Sequence, residues 1–151
     1  MKTSDQGIQQ IKVFEGFRSM PYQDGVGKWT VGYGHLIISG DGCAIGSPIT
    51  MGNAETLLRN DLWKAEDAIK ADVRVTLTQC QFDALVSFIF NLGTGAFYRS
   101  TLLKLLNTGD FDGAASEFPK WDHAPSDTVN NSILKRRLAE KRCFRGEGYA
   151  G

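Results

Sequence analysis

One segment of this sequence is apolar on almost every side and therefore has to lie at the centre of the folded chain. It reads FDALVSFIFNLG and covers residues 82–93. Thr78 and Gln81 precede it with the spacing of a capping box, in which two side chains satisfy backbone N–H groups at the start of a helix. A helix that is apolar nearly all round is buried. The sequence therefore predicts a helical body built around this segment.

The longest predicted helix covers residues 51–72. Thr50 is suited to cap it, because a threonine hydroxyl can accept a hydrogen bond from the first helical turn. Apolar residues recur along it at helical spacing: Ala54, Leu57, Leu58, Leu62, Ala65 and Ile69. At 1.5 Å per residue this helix would span roughly 30 Å, a length suited to joining two lobes.

β-structure is predicted ahead of that helix, over residues 17–38. Turn-forming residues divide this stretch, and side chains alternate between two faces over residues 29–35. Strands early in the chain and helices after them indicate an α+β architecture. We expect one domain covering residues 1–151. In it, a long helix joins a small N-terminal β-hairpin or sheet lobe (about 17–48) to a larger helical C-terminal lobe (about 73–151, plus the first helix).

Composition argues against several classes of partner. Seventeen basic and seventeen acidic residues balance, so no overall field attracts this protein to nucleic acid or to a membrane surface. We expect no secretory signal and no membrane anchor, since the sequence lacks an apolar run of the required length. The basic segment 135–145 is interpreted either as a solvated helix end or as a contact for an anionic polymer. The three cysteines have unrelated spacings and predict neither a disulfide framework nor a metal motif.

Three polar residues near the N-terminus are candidates for catalysis. Ile8, Ile11 and Glu15 fall at positions i, i+3 and i+7, so Glu15 ends the apolar face of the first predicted helix, which we expect Gly16 to stop. Asp24 stands nine residues later in a glycine-rich turn, and Thr30 follows six residues after that. Thr30 shares its predicted strand face with glycines only, and such a bare face leaves room for a ligand.

These residue types match the needs of glycoside hydrolysis. The reaction uses one protonated carboxyl group to donate to the leaving oxygen and one ionised carboxylate near the anomeric carbon. Glu15, at the end of an apolar stripe, is the candidate acid, whereas Asp24 in a solvent-exposed turn is the candidate carboxylate. The hydroxyl of Thr30 can position a water molecule. Each residue alone also has an ordinary structural explanation; the Asp24–Gly25 pair, for example, is a common hairpin turn.

The pattern E-x8-D-x5-T, followed by V-G-Y-G-H, resembles that of the bacteriophage lysozymes of glycoside hydrolase family 24. That family includes the T-even phage lysozyme and the lambdoid endolysins. The resemblance covers nearly the whole chain: ITMGNAETLLRNDL is similar to the family's connecting helix, LTQCQFDALVSFIFNLGTGAF to its central helix and LKRRLAEKRCF to its closing helix. One departure is the segment DHAPSDTVNNSILKRR, residues 122–137, which lacks the glycine that many relatives place before the terminal Leu-x-Arg-Arg run. The first part of this segment, residues 122–131, is polar and is predicted to be a surface loop.

The resemblance implies a lysozyme-like fold and a muramidase. The bond hydrolysed would be the β-1,4 linkage between N-acetylmuramic acid and N-acetylglucosamine. By position, Glu15 would be the general acid, while Asp24 and Thr30 would hold and activate the attacking water, with inversion at the anomeric carbon. In an alternative within the family, Asp24 mainly gives electrostatic support to the transition state. A lytic transglycosylase and a non-catalytic cell-wall-binding module are the other two functions considered for this fold.

Further positions carry over from the resemblance. Leu36, Phe90 and Asn91 follow substrate-binding positions of the family. Arg136 falls where the family places an arginine that pairs with the catalytic glutamate, and Arg137 is the nearby competitor for that role.

His35 and Asp61 would form a structural ion pair by the same resemblance, and we expect the pKa of His35 to be raised. A metal-binding role for His35 is not expected, because His123 is the only other histidine.

The resemblance also implies how such an enzyme works in the cell. It would act on the glycan strands of peptidoglycan, as a monomer, with no cofactor and no metal. It would stay in the host cytoplasm until a holin opens the inner membrane, and would then reach the periplasm and cell wall.

Overall fold

The computed structural model describes residues 1–123 and 130–148, and the chain divides into two compact units. We call residues 8–63 the sheet unit. The helical unit combines residues 1–7 with residues from 64 onward. Part of the polar segment predicted to be a loop, residues 124–129, lies outside the described residues.

The helices and strands follow in this chain order: α1 (Asp5–Glu15), β1 (Arg18–Gln23), β2 (Trp29–Gly32), β3 (His35–Leu36), α2 (Met51–Asp61), α3 (Trp63–Asp72), α4 (Gln79–Leu92), α5 (Thr94–Arg99), α6 (Thr101–Asn107), α7 (Phe111–Glu117) and α8 (Asn131–Phe144). A 3₁₀ helix, Phe118–Lys120, follows α7. No helix among the residues described here has both the length and the apolar character needed to cross a membrane.

The sheet unit contains a three-stranded antiparallel sheet in the order β1-β2-β3. The single alternating strand predicted over residues 29–35 is wrong, because the chain reverses between β2 and β3 and pairs Val31 with His35. Gly32 and Gly34 have φ angles of +67° and +77°, which a side chain would disfavour and a tight reversal requires. Glycines that had seemed to form an empty strand face therefore build a turn.

The sheet unit is held together by small and aliphatic side chains. Ile8 and Ile11 of α1, Val31 of β2, and Ala54 and Leu58 of α2 are each at most 1% exposed. The helical spacing of Ile8 and Ile11 thus does mark the buried face of α1.

The long helix predicted over residues 51–72 is divided in two. Thr50 caps α2 as predicted, its hydroxyl accepting from Asn53 N–H at 3.1 Å. Leu62 then ends α2 in a turn before α3 begins. Leu62 is itself buried, so the apolar spacing continues across the break. The boundary between the two units follows directly, between Trp63 and Lys64.

The helical unit is built around α4, as its sequence predicts. Every residue of α4 from Phe82 to Ile89 is buried, and the capping box of Thr78 and Gln81 is present. α4 packs against α8. Asn130 caps α8, its side-chain oxygen accepting from Ser132 N–H at 2.9 Å.

Candidate active site

Glu15 is the last residue of α1. The helix ends as predicted at Gly16, which has φ +70° and donates its N–H to the Lys12 carbonyl at 2.9 Å. The Glu15 carboxylate is half-buried and lies against the turn between β2 and β3. A Cβ atom at Gly34 would come within 3.2 Å of Glu15 Oε2. The missing side chain at Gly34 therefore allows the carboxylate to approach the sheet closely.

Asp24 lies in the turn between β1 and β2 and is held by hydrogen bonds to the turn backbone. Its Oδ1 accepts from Val26 N–H at 3.0 Å and from Lys28 N–H at 2.9 Å, and its own N–H donates to the Lys28 carbonyl at 2.8 Å. Among the described residues, no group donates to Oδ2. One carboxylate oxygen is thus fixed by the turn, while the other can accept a hydrogen bond from a bound water molecule.

Thr30 lies on β2 and is only 4% exposed. Its Oγ1 donates to the Lys28 carbonyl at 3.1 Å, so the single hydroxyl proton is engaged and the oxygen lone pairs are left as acceptors. The same carbonyl accepts from the Asp24 N–H. The peptide of Lys28 therefore links Asp24 to Thr30, and the sheet unit carries both of them together with Glu15.

The predicted substrate-binding residues fall in both units. Leu36 pairs with Thr30 across the sheet and is 45% exposed, so it offers an apolar surface beside a candidate catalytic residue. Phe90 is half-buried and Asn91 is exposed, and both belong to the end of α4 in the helical unit. Substrate binding by these three residues stays a prediction.

A family model described as Phage lysozyme matches residues 12–140. The chain belongs to the phage lysozyme family. It is 43% identical over 147 residues to an endolysin of Acyrthosiphon pisum secondary endosymbiont phage 1, an alignment that covers 95% of this chain and 98% of that one.

Solved structures agree with this family assignment. The endolysin from Escherichia coli O157:H7 phage FAHEc1 is 33% identical, with a TM-score of 0.92 over 100% of this chain and 98% of its own. The muramidase domain of SpmX from Asticaccaulis excentricus is 38% identical, with a TM-score of 0.87 over 95% and 97%. The lysozyme-like α+β fold predicted from the sequence is confirmed.

A buried charged cluster lies in the helical unit. Arg136 Nε donates to Glu140 Oε1 at 3.3 Å, and Arg136 Nη2 donates to the Ser87 carbonyl at 3.1 Å. Arg137 is 0% exposed; its Nη1 donates to Glu140 Oε2 at 2.5 Å. Burial lowers the pKa of Arg137, and the adjacent Glu140 carboxylate opposes that shift. A solvated helix end is therefore the wrong interpretation for these two arginines, although Lys135, Arg142 and Arg145 are exposed.

Arg137 also fixes the side chain of Asn91. Arg137 Nη2 donates to Asn91 Oδ1, and because a guanidinium only donates hydrogen bonds, the amide oxygen has to face it. The Asn91 Nδ2 group donates to none of the residues described in the structure. This phage lysozyme thus presents an oriented N–H donor at the end of α4. The sequence had offered Arg137 only as an alternative partner for Glu15.

The structure brings His35 and Asp61 together. His35 Nδ1 lies 2.7 Å from Asp61 Oδ2, and His35 Nε2 lies 2.8 Å from Asp41 Oδ2. Burial alone would lower the pKa of His35, but the hydrogen bonds and negative charges of the two aspartates raise it above the ordinary 6.5.

The second partner of His35, Asp41, was missed by sequence reasoning. Burial would raise the pKa of Asp41, but hydrogen bonds from Ile38 N–H, His35 and Cys43 N–H lower it to about 2. The sequence did offer one signal for Asp41: it is an acidic residue between two glycines, in a loop over residues 39–48 that contains no other charged residue.

The ion pair predicted between Arg136 and Glu15 joins residues of different units and stays a prediction.

Proposed function

We propose that this phage lysozyme is a muramidase of glycoside hydrolase family 24, of the type found in T-even phage lysozyme and lambdoid endolysins. It would hydrolyse the β-1,4 bond between N-acetylmuramic acid and N-acetylglucosamine in peptidoglycan. The observation that carries this proposal is the pair of carboxylates on the sheet unit. Both residues are half-buried: Glu15 lies against the Gly34 turn, and Asp24 lies in the turn between β1 and β2 with one oxygen held by backbone N–H groups.

The mechanism assigns a different step to each group. Glu15 donates a proton to the leaving glycosidic oxygen as the bond breaks. Asp24 Oδ2 accepts one proton of a water molecule, and Thr30 Oγ1 accepts a hydrogen bond from the other O–H. The water then attacks the anomeric carbon from the face opposite the leaving group, which inverts its configuration. In the alternative role, Asp24 stabilises the positive charge of the oxocarbenium-like transition state without taking a proton.

Residues outside this pair would bind the glycan and support the acid. Leu36, Phe90 and Asn91 would contact sugar rings, with the Asn91 N–H donor facing an acceptor on the substrate. Arg136 would pair with Glu15 and keep its carboxyl group in position.

The proposed setting is host cell lysis, which is supported by the similarity to phage endolysins. The protein would act as a monomer, remaining in the host cytoplasm until a holin opens the inner membrane. It would then reach peptidoglycan in the periplasm.

Product analysis tests the reaction directly. Purified peptidoglycan digested with the pure protein should yield fragments with ordinary reducing N-acetylmuramic acid ends, and NMR of the first products should show inverted anomers. Fragments carrying 1,6-anhydro ends, seen by mass spectrometry, would instead identify a lytic transglycosylase. Failure of the folded protein to release any fragment or to clear permeabilised Gram-negative cells would favour a binding module.

The acid is tested by Glu15→Gln, which removes the donated proton with little change in shape. We expect kcat to fall on the order of 10²–10⁴-fold, the usual contribution of a general acid, without loss of folded structure. Asp67→Asn is the matched control, because Asp67 is an exposed carboxylate of α3, and it should keep full activity.

The role of Asp24 is tested by Asp24→Asn. If Asp24 takes the proton of the attacking water, kcat should fall by a similar factor. A near-normal rate would contradict water activation by this residue.

A further inference from the structure

Three side chains of different chemistry converge next to β3 in the sheet unit. The ligand-type atoms of His35, Asp41 and Cys43 all lie within 4.8 Å of one another. His35 is buried, while Asp41 and Cys43 are half-buried. None of the three takes part in the proposed hydrolysis, so the cluster needs a separate explanation.

The loop after β3 folds in a way that directs two of these side chains toward His35. Asp41 stands between Gly40 and Gly42, whose φ angles are +86° and +80°. Asp41 Oδ1 accepts from Cys43 N–H at 2.8 Å, and Asp41 Oδ2 accepts from Ile38 N–H at 2.8 Å. The Asp41 carboxylate is therefore fixed by the loop backbone.

The donor set fits a particular class of cation. An imidazole nitrogen, a carboxylate oxygen and a thiolate sulfur are the ligand types that bind Zn²⁺, whereas Ca²⁺ and Mg²⁺ prefer oxygen alone. Bonds of about 2.0–2.3 Å place tetrahedral ligand atoms about 3.3–3.8 Å apart. The His35–Asp41 contact of 2.8 Å would open by about 0.5 Å, and the widest pair, which lies within 4.8 Å, would close by at most about 1.3 Å.

A fourth residue provides the support that a metal-bound histidine requires. Metal-bound imidazoles almost always donate their other ring N–H to a carboxylate, a backbone carbonyl or a water molecule, which fixes the ring and the tautomer. Asp61 Oδ2 already lies 2.7 Å from His35 Nδ1. Nε2 is therefore the His35 nitrogen left for a metal ion, and it lies 2.8 Å from Asp41 Oδ2.

We propose that His35 Nε2, the Asp41 carboxylate and Cys43 Sγ bind one Zn²⁺ ion, with Asp61 orienting the imidazole and a water molecule as the fourth ligand. Binding releases one proton from the Cys43 thiol and, when His35 is charged, one from its imidazolium. The bound ion replaces the His35–Asp41 hydrogen bond with two metal bonds and ties the 39–48 loop to β3.

Calorimetric titration of the chelator-treated protein with ZnCl₂ tests the proposal. We expect one ion per chain, and a melting temperature that rises with the zinc concentration. Asp61→Asn should weaken binding by about 10–100-fold, the usual effect of losing a supporting carboxylate. No binding by the folded wild-type protein would overturn the proposal.

Co²⁺ gives a readout that reports the ligands themselves. The wild-type protein with Co²⁺ should show a thiolate-to-metal charge-transfer absorption that Cys43→Ser abolishes. Cys80→Ser is the matched control, since Cys80 is the other half-buried thiol, and His123→Gln tests the second histidine. A thiolate band retained in Cys43→Ser, or lost in either control, would show that the ion binds elsewhere. Should Cys43→Ser fail to fold, a wild-type cobalt spectrum without a thiolate band would equally refute the site.

Discussion

Replacing Gly34 with alanine tests whether the turn between β2 and β3 positions the candidate acid. Gly34 has φ +77°, and an alanine Cβ there would lie 3.2 Å from Glu15 Oε2. Two separate costs follow. The left-handed backbone costs a residue with a side chain about 1–2 kcal/mol, and the new methyl group pushes on the carboxylate.

Gly109 separates these two costs. It has φ +83° and no atom within 4 Å of a Cβ position, so Gly109→Ala introduces the unfavourable backbone conformation without a new steric contact. A chain of this size loses about 2–4 °C in Tm per kcal/mol, so both variants should lose about 2–8 °C. Ordinary contact begins at 3.4 Å, so in Gly34→Ala the carboxylate or the turn has to shift by at least 0.2 Å.

Only Gly34→Ala should lose catalytic rate. If a misplacement of about 1 Å costs about 10²-fold, a shift of about 0.2–0.5 Å costs about 3–10-fold in kcat. Initial rates of peptidoglycan solubilisation at a temperature where both variants are folded measure this. Equal losses of Tm together with full kcat in Gly34→Ala would refute positioning of Glu15 by Gly34.

Two further predictions concern stability. A Cβ atom at Gly7 would lie 2.8 Å from Cγ of Asp83, which is buried and accepts at least three hydrogen bonds. We therefore expect Gly7→Ala to lower the free energy of unfolding in urea by about 1–3 kcal/mol, although alanine favours a helix by about 1 kcal/mol. Gly52→Ala, whose Cβ meets nothing closer than 3.9 Å, should be neutral or stabilising, and a stabilised Gly7→Ala would contradict the packing argument. Because the folded pKa of His35 lies above 6.5, the stability from its charged form is fully present below pH 6.5 and is lost as the pH rises through the folded pKa. NMR titration in the presence of a chelator should show this pKa falling in Asp61→Asn, and a wild-type value of 6.5 or lower would count against the ion pair.

Local features of this fold could be predicted from the sequence because neighbouring residues determine them. The caps at Thr50 and Thr78 and the glycine stop at Gly16 each depend on a few adjacent positions, and all three are confirmed. The buried position of α4 follows from composition alone, since its surface offers no polar side to solvent.

Features that depend on distant or backbone interactions could not be predicted. The helix break at Leu62 could not be predicted from the sequence, because the apolar residues keep their helical spacing across it. A glycine turn after β2 has the same alternating pattern as a strand. Burial of Arg137 requires Glu140 one helical turn later and Asn91 on a different helix, and a one-dimensional pattern shows only that the residue is basic.

The carbonyl of Lys28, shared by Asp24 and Thr30, affects how sequence conservation in this hairpin should be interpreted. Lys28 is exposed, and its peptide group, not its ammonium, joins the Asp24 turn to the Thr30 hydroxyl. Any amino acid with a backbone N–H supplies the same two atoms. Natural variation at this position would therefore look unconstrained in an alignment, although the main chain there connects both halves of the proposed water site. Wherever the peptide backbone itself makes the functional contact, variation of the side chain does not show that the position is functionally unimportant.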